Sequence, residues 1–264
     1  MFSVATDSRT VVLSSFMHIT SNTWLVNPET HRNGDDHGQC GCTGGCGEEC
    51  ANSSLQIECS DDDAVTSSDG SIPANCSVGP GCGNRRLQNQ EWACLDLLDP
   101  TDTAGKGWGL VATVGLHSGE FVIEYVGQVI NRSTNDRRMV HHRTTRPDDA
   151  SMYSVALGGG LFVDARLKGN LARFVNHSCD PNCEFHKWDV RGLTRIVVVA
   201  LHDIVSGTEL CVDYQLSTNE AGYFTCHCGT EQCRGTMAGG DQALGYNEEP
   251  EQTSRDSGDS SDFE

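Results

Sequence analysis

Fourteen cysteines lie in this chain of 264 residues, and many of them come in tight groups. The stretch CGCTGGCGEEC places Cys40, Cys42, Cys46 and Cys50 within eleven residues, and CHCGTEQC places Cys226, Cys228 and Cys233 within eight. Disulfides pair cysteines more sparsely. A tetrahedral zinc ion, with Zn–S bonds of about 2.3 Å, gathers several sulfurs around one point and suits this density. The start, MFSVATDSRTVVLSSFMHITS, has one short apolar stretch broken by Ser and His. A secretory signal is therefore not expected, and zinc in a reducing compartment is.

NHSCDPNC, residues 176–183, is the next group able to do chemistry. An amide and an imidazole side by side can hydrogen-bond a polar cofactor or tie down neighbouring backbone. Two other readings stand beside this one: a buried histidine next to a core thiol, or a Cys–His nucleophile pair. A closed zinc site takes four ligands and CHCGTEQC holds three thiols, so Cys179 is expected to supply the fourth and draw this loop against the C-terminal cluster. GKGWG (105–109) has three glycines that let backbone approach a ligand or simply make a tight turn. It lacks the GxxxxGK[ST] spacing of a phosphate loop. Tyr214, in ELCVDYQ, is either a packing residue or a catalytic hydroxyl.

These groups need elements to hold them. Residues 1–39 carry no clear period and end in the turn-rich NPETHRNGDDHGQ. Residues 40–92 are rich in cysteine and poor in apolar periodicity, so metal must hold them. Within them, SDDDAVTSSDGSIPAN reads as a solvated acidic loop. From about residue 93 strand signals dominate. GEFVIEYVGQVI (119–130) has strand composition, and YSVALGGGLFVDA (153–165) reads as two short strands around a glycine turn. TRIVVVALHDI (194–204) reads as a strand buried on both faces, and CVDYQ as a short extended piece. NRSTNDRRMVHHR has weak helical character, and the acidic stretch after Met237 is expected to be disordered. The fold class is mainly β with short helices.

The formal net charge of −19 argues against a strong direct grip on nucleic acid and favours a basic, Lys/Arg-rich peptide partner. No run of about 18 apolar residues is present, so no membrane partner is expected.

Taken in order, GKGWGLVA, GEFVIEYVGQVI, GNLARFVNHSCDPNCEFHKW, RIVVVALHDIVSGTELCVDYQ and CHCGTEQCRG resemble the motifs of the SET-domain lysine methyltransferases. The resemblance covers about residues 105–236. It implies a SET fold of several small sheets with a pseudoknot, flanked by zinc-bound segments. Domains would follow as an N-terminal segment (1–38), an AWS-like pre-SET module (39–92), the SET domain (93–216), a post-SET zinc motif (222–238) and an acidic tail (239–264). Cys40, Cys42, Cys46, Cys50, Cys59, Cys76 and Cys82 match the AWS pattern, in which seven thiols bind two zincs and share one thiolate. With Cys179, Cys226, Cys228 and Cys233 the resemblance implies three structural zincs. Cys46, midway between Cys42 and Cys50, is the expected bridge.

The same resemblance assigns S-adenosylmethionine as cofactor. Its contacts would be Lys106, Gly107 and Trp108, then Ser151, Met152 and Tyr153, then Arg173, Asn176 and His177. Tyr214 would be the catalytic tyrosine and Tyr125 a second tyrosine near the lysine channel. The chain is similar to the Set-two, Ash and NSD groups, which methylate the lysine at position thirty-six of histone H3. A histone H3 tail or nucleosome is thus the implied partner, and the nucleus and chromosome the implied location. A non-histone lysine methyltransferase, or a silent zinc-held module that binds chromatin or protein, are the alternatives. Cys211 and Val212 stand where Thr-Phe is common. Val212, two residues before Tyr214 in an extended segment, is expected to line the lysine channel. Cys94, Cys183 and Cys211 are expected to be buried thiols.

Overall fold

The computed structural model describes residues 8–33, 40–47, 49–60, 76, 78, 81–98, 103, 105–146, 153–216 and 225–238. The acidic loop over 61–75, the pair Ser151–Met152 and the acidic tail from 239 lie outside the described residues. In chain order the elements are α1 (Ser8–Ser14), β1 (Met17–His18), β2 (Thr23–Trp24), α2 (Ala51–Ser54), β3 (Leu95–Leu98), β4 (Gly109–Ala112), β5 (Phe121–Tyr125), β6 (Gln128–Asn131) and α3 (Arg132–Thr145). There follow β7 (Ser154–Gly158), β8 (Leu161–Asp164), β9 (Lys168–Gly169), β10 (Asn176–His177), β11 (Cys183–Val190), β12 (Leu193–Ala200) and β13 (Cys211–Val212). The strands form small sheets: β2-β6-β8-β7, β11-β12-β5, and the pairs β1-β9, β3-β4 and β10-β13. This is a mainly β chain with few helices. None of its described helices is long and apolar enough to cross a membrane.

The sheet β11-β12-β5 organises the molecule, because its two faces pack on different things. Side chains alternate across a strand. Ile123, Tyr125, Ile196, Val198, Ala200 and Cys183 face the main core with Leu110, Val163 and Val212. Val197, Val199, Trp188 and Val190 face the other way, onto Leu87 and Trp92 of the cysteine-rich segment. The run Ile196–Ala200 is therefore buried on both faces, as its unbroken apolar composition predicts. Burying each such side chain stabilises the fold by roughly 1.5–3 kcal/mol. The cysteine-rich segment is thus bonded to the sheet by packing. Backbone adds to this: the N–H of Glu58 donates to Asp189 O at 2.9 Å, and that of Asp189 to Gln56 O at 2.8 Å.

The apolar run 119–130 divides into β5 and β6 at Gly127. A Cβ there would stand 2.5 Å from the carbonyl oxygen of Asp164, so only glycine lets these backbones meet. Helix α3 is capped by Asn131, whose side chain accepts the Thr134 N–H at 2.9 Å. It buries only Asn135, Met139 and His142, a narrow stripe that explains its weak periodic signal. The N-terminal segment, for which no period was legible, adds short parallel strands: Met17 and His18 beside Lys168 and Gly169, and Thr23 and Trp24 beside Gln128 and Val129. Two-residue strands are too short to show a period in sequence.

Candidate functional site

The site lies where the GKGWG turn, the end of β10 and the β13 strand meet. β10 and β13 pair in parallel, with Asn176 opposite Cys211 and His177 opposite Val212. Glu209, just before β13, is the hub. Its carboxylate accepts the Lys106 ammonium at 2.6 Å and the Asn176 amide at 2.8 Å, and its carbonyl accepts the Asn182 amide at 2.8 Å. Asn182 in turn accepts the Cys211 N–H at 2.9 Å. The Asn176 amide also reaches the Trp108 carbonyl at 3.3 Å. Gly105 and Gly107 both have φ 85°, with open space where a side chain would project. This leaves main chain accessible beside the half-buried Trp108.

Three tyrosines line the adjoining wall. The Tyr214 hydroxyl donates to Val175 O at 2.8 Å, and the Tyr125 hydroxyl to Tyr153 O at 2.8 Å. Burial pushes both phenols upward, with Tyr214 and Asp164 adding to it at Tyr125, and Cys211 and Tyr153 at Tyr214, so they stay protonated near neutral pH. Phe185 meets Tyr125 edge to face, with centroids 5.6 Å apart. Arg173 is buried, donates from Nε to Ala165 O at 3.0 Å, and lies 4.0 Å over the Tyr153 ring. His177 Nδ1 accepts the Tyr214 backbone N–H at 3.1 Å. Burial lowers the pKa of His177, ahead of the opposing pull of Asp213, and favours the neutral ring.

The thiols form the groups their spacing suggests. Cys179, Cys226, Cys228 and Cys233 have their sulfurs within 4.8 Å of one another, and Cys179 lies 3.6 Å from Cys226. In the N-terminal cluster two overlapping sets form, Cys40, Cys42, Cys46, Cys50 and Cys40, Cys46, Cys59, Cys76. Cys46 lies 3.5 Å from Cys40, 3.5 Å from Cys76 and 4.0 Å from Cys59. Bonds of about 2.3 Å to one zinc put tetrahedral sulfurs about 3.8 Å apart, so these all-thiol sets fit zinc. Cys82 is buried in the same cluster. Asn84 and Asn52 aim amides at the Cys59 sulfur, at 3.4 and 3.6 Å. At Cys228 burial opposes ionisation, yet hydrogen bonds led by Thr230 outweigh it and bring the thiol down to about 5. That favours the thiolate a metal needs.

Of the residues singled out in sequence, Lys106 and Asn176 converge on Glu209, and the Trp108 carbonyl meets the same Asn176 amide. Tyr125, Tyr153, Arg173, His177 and Tyr214 converge on the tyrosine wall, and Ser151 and Met152 lie outside the described residues. Glu209 and Asn182 were not singled out. Their partners are far away in sequence, and only the second Asn of NHSCDPNC hinted at a role. Val212 is fully buried, in the core against which Tyr214 also packs. Cys183 and Cys211 are buried as expected, whereas Cys94 is exposed because its neighbour Ala93 takes the inward position before β3.

Residues 107–215 match the SET domain family model. The chain is 34% identical to the histone-lysine N-methyltransferase ash1 of Drosophila melanogaster over 90% of its own length and 10% of that protein's. It is 32% identical to the histone-lysine N-methyltransferase ASHH1 of Arabidopsis thaliana over 94% of its length and 48% of the relative's. To an Emericella nidulans protein named histone-lysine N-methyltransferase, H3 lysine-36 specific, it is 38% identical over 74% of its length and 18% of the relative's. The chain thus spans about half the length, or much less, of these relatives.

Proposed function

We propose that this chain, which carries a SET domain over residues 107–215, is an S-adenosylmethionine-dependent lysine methyltransferase acting on histone H3, with lysine 36 as the favoured target. The observation that carries this reading is the junction itself. An open glycine backbone and Trp108 lie on one side, a wall of neutral tyrosines on the other, and Asn176 and His177 join them. Pre-SET, SET and post-SET units would occupy 39–92, 93–216 and 222–238. The relatives' names support a chromatin substrate, hence nuclear and chromosomal location.

Lys106, Gly107, Trp108, Tyr153, Arg173, Asn176 and His177 would hold the cofactor, with Ser151 and Met152 beside Tyr153 in sequence. Bound S-adenosylmethionine would supply a methyl group on a sulfonium; a neutral lysine amine takes that methyl in line, the new N–C bond forming as the C–S bond breaks and the thioether leaves. The chain's task is to make and aim that amine. Tyr125, Phe185 and Tyr214 would enclose the lysine in a dry channel, which lowers its pKa and favours loss of its proton to water. The Tyr214 oxygen, anchored by donating to Val175 O, keeps lone pairs free to receive an amine N–H and point the nitrogen at the methyl carbon. The thiol sets would hold three structural zincs. Cys46, lying between both halves of its cluster, is the proposed bridging thiolate.

Methylation of recombinant nucleosomes, with the modified lysine mapped by mass spectrometry, tests the reading. Modification on a non-histone protein alone would move the substrate. Absence of S-adenosylmethionine binding in a calorimetric titration would point to a silent binding module.

A further inference from the structure

Two links run from the C-terminal thiol cluster to the segment after β13 that carries Tyr214, and they approach each other where Asp213 Oδ1 lies 3.6 Å from His177 Nδ1. In the first, His177 Nδ1 accepts the Tyr214 backbone N–H at 3.1 Å, so the ring proton belongs on Nε2, which lies 3.5 Å from the Cys179 sulfur. In the second, one guanidinium nitrogen of Arg234 donates to both carboxylate oxygens of Asp213 at 2.8 Å, while the backbone N–H of Arg234 points at the same Cys179 sulfur from 3.3 Å. Both links start at Cys179 and end on the adjacent residues Asp213 and Tyr214. The Asp213 carboxylate does more. It accepts the Gln215 N–H at 3.1 Å, and Gln215 has a left-handed φ of 48°. The turn directly after Tyr214 is therefore closed by the same carboxylate that Arg234 grips.

A zinc clip that only fastened the 225–238 segment would need its four sulfurs and nothing else. Here side chains outside the ligand set reach both flanks of the tyrosine. On the methyl-transfer reading given above, we propose that Asp213 and Arg234 are positioning residues. Their ion pair carries the docking of the 225–238 module to the Tyr214 backbone and so sets where its phenol stands. Side chains two apart share a face, so Asp213 projects on the opposite side of the segment from Tyr214. It steadies the tyrosine without meeting the substrate. Arg's planar fork suits this task better than a point charge.

Zinc-loaded wild type, Asp213→Asn, Arg234→Gln and the charge-exchanged pair Asp213→Arg with Arg234→Asp are compared on nucleosomes. Each is also followed by zinc content, melting temperature and hydrogen exchange at the Tyr214 amide. The single variants are expected to keep their zinc and to lower kcat about tenfold, with the KM for S-adenosylmethionine changed far less. Their melting temperature should hardly move, since an ion pair this close to solvent contributes little to stability. The Tyr214 amide should exchange faster, and the exchanged pair should recover part of both losses. Unchanged kcat and unchanged amide exchange in both single variants would overturn the proposal, as would a loss of turnover fully explained by lost zinc. A wild type that transfers no methyl, while the amide responds as described, would sink the methyl-transfer reading and leave the linkage standing.

Discussion

The N-terminal cluster around Cys46 and the C-terminal cluster around Cys226 offer the same ligand atoms to opposite surroundings. In the first, Cys40, Cys46, Cys50, Cys59, Cys76 and Cys82 are all buried, and side-chain amides of Asn52 and Asn84 close over Cys59. In the second only Cys226 is buried, and Cys179, Cys228 and Cys233 are half-buried. The first cluster sits in a segment that packs on the sheet face turned away from Tyr214, through Leu87 and Trp92. The second borrows Cys179 from the body, two residues from His177 and within reach of the Tyr214 backbone. The same set of ligand atoms therefore suits two different tasks. Buried among its own residues, a thiol cluster replaces a missing hydrophobic core. Built across a seam, it decides whether two segments stay together.

The comparison breaks most sharply at Cys59, which has no exposed surface. Cys59→Ser should cost several kcal/mol, of the order seen when a structural zinc site is lost. Circular dichroism with elemental analysis should show loss of zinc together with partial unfolding; a folded protein with its zinc intact would remove the contrast. Tyr214→Phe comes next. It removes one hydroxyl and should leave fold, zinc and cofactor binding in place while lowering turnover about 10²-fold, the scale for deleting one aligned hydrogen-bonding group. Wild-type turnover would mean that the wall does its work without this phenol.

Cys228→Ser is the counterpart of Cys59→Ser and should behave differently. One zinc should leave, cofactor affinity and turnover should fall on the order of tenfold, and the melting temperature should shift by only a few degrees, because little core depends on the module. A collapse like that of Cys59→Ser would show the two clusters to be equivalent. Glu209→Gln should have the smallest effect. It keeps the shape of the hub but takes the negative charge from Lys106, a charge-assisted contact whose loss costs about 1.5 kcal/mol or less. Calorimetry should show S-adenosylmethionine binding weakened several-fold, with both thiol clusters unaffected.

Much of this architecture was legible in composition and spacing. The continuous apolar run at 194–204 named its own burial, and the glycine-split pair at 153–165 became β7 and β8. Three closely spaced thiols announced that a fourth was needed, and Cys179 stands with them. Two things were not legible. The strands of the N-terminal segment are two residues long, below the length at which a period can appear. Asp213 and Arg234 look like ordinary surface charges until their segments meet.

The sequence by itself determined the ligand atoms, the strand-rich class and the set of chemical groups available, because residue type and local spacing are covalent facts of the chain. Only the tertiary structure decided which of those groups act together. Glu209 joins Lys106 to Asn176, and Cys179 joins the Tyr214 segment to residues 225–238, through contacts between segments far apart in sequence. Such contacts form where burial of the apolar strands brings the segments together. No local pattern encodes that meeting, since it is the sum of many weak packing terms rather than the property of any one motif.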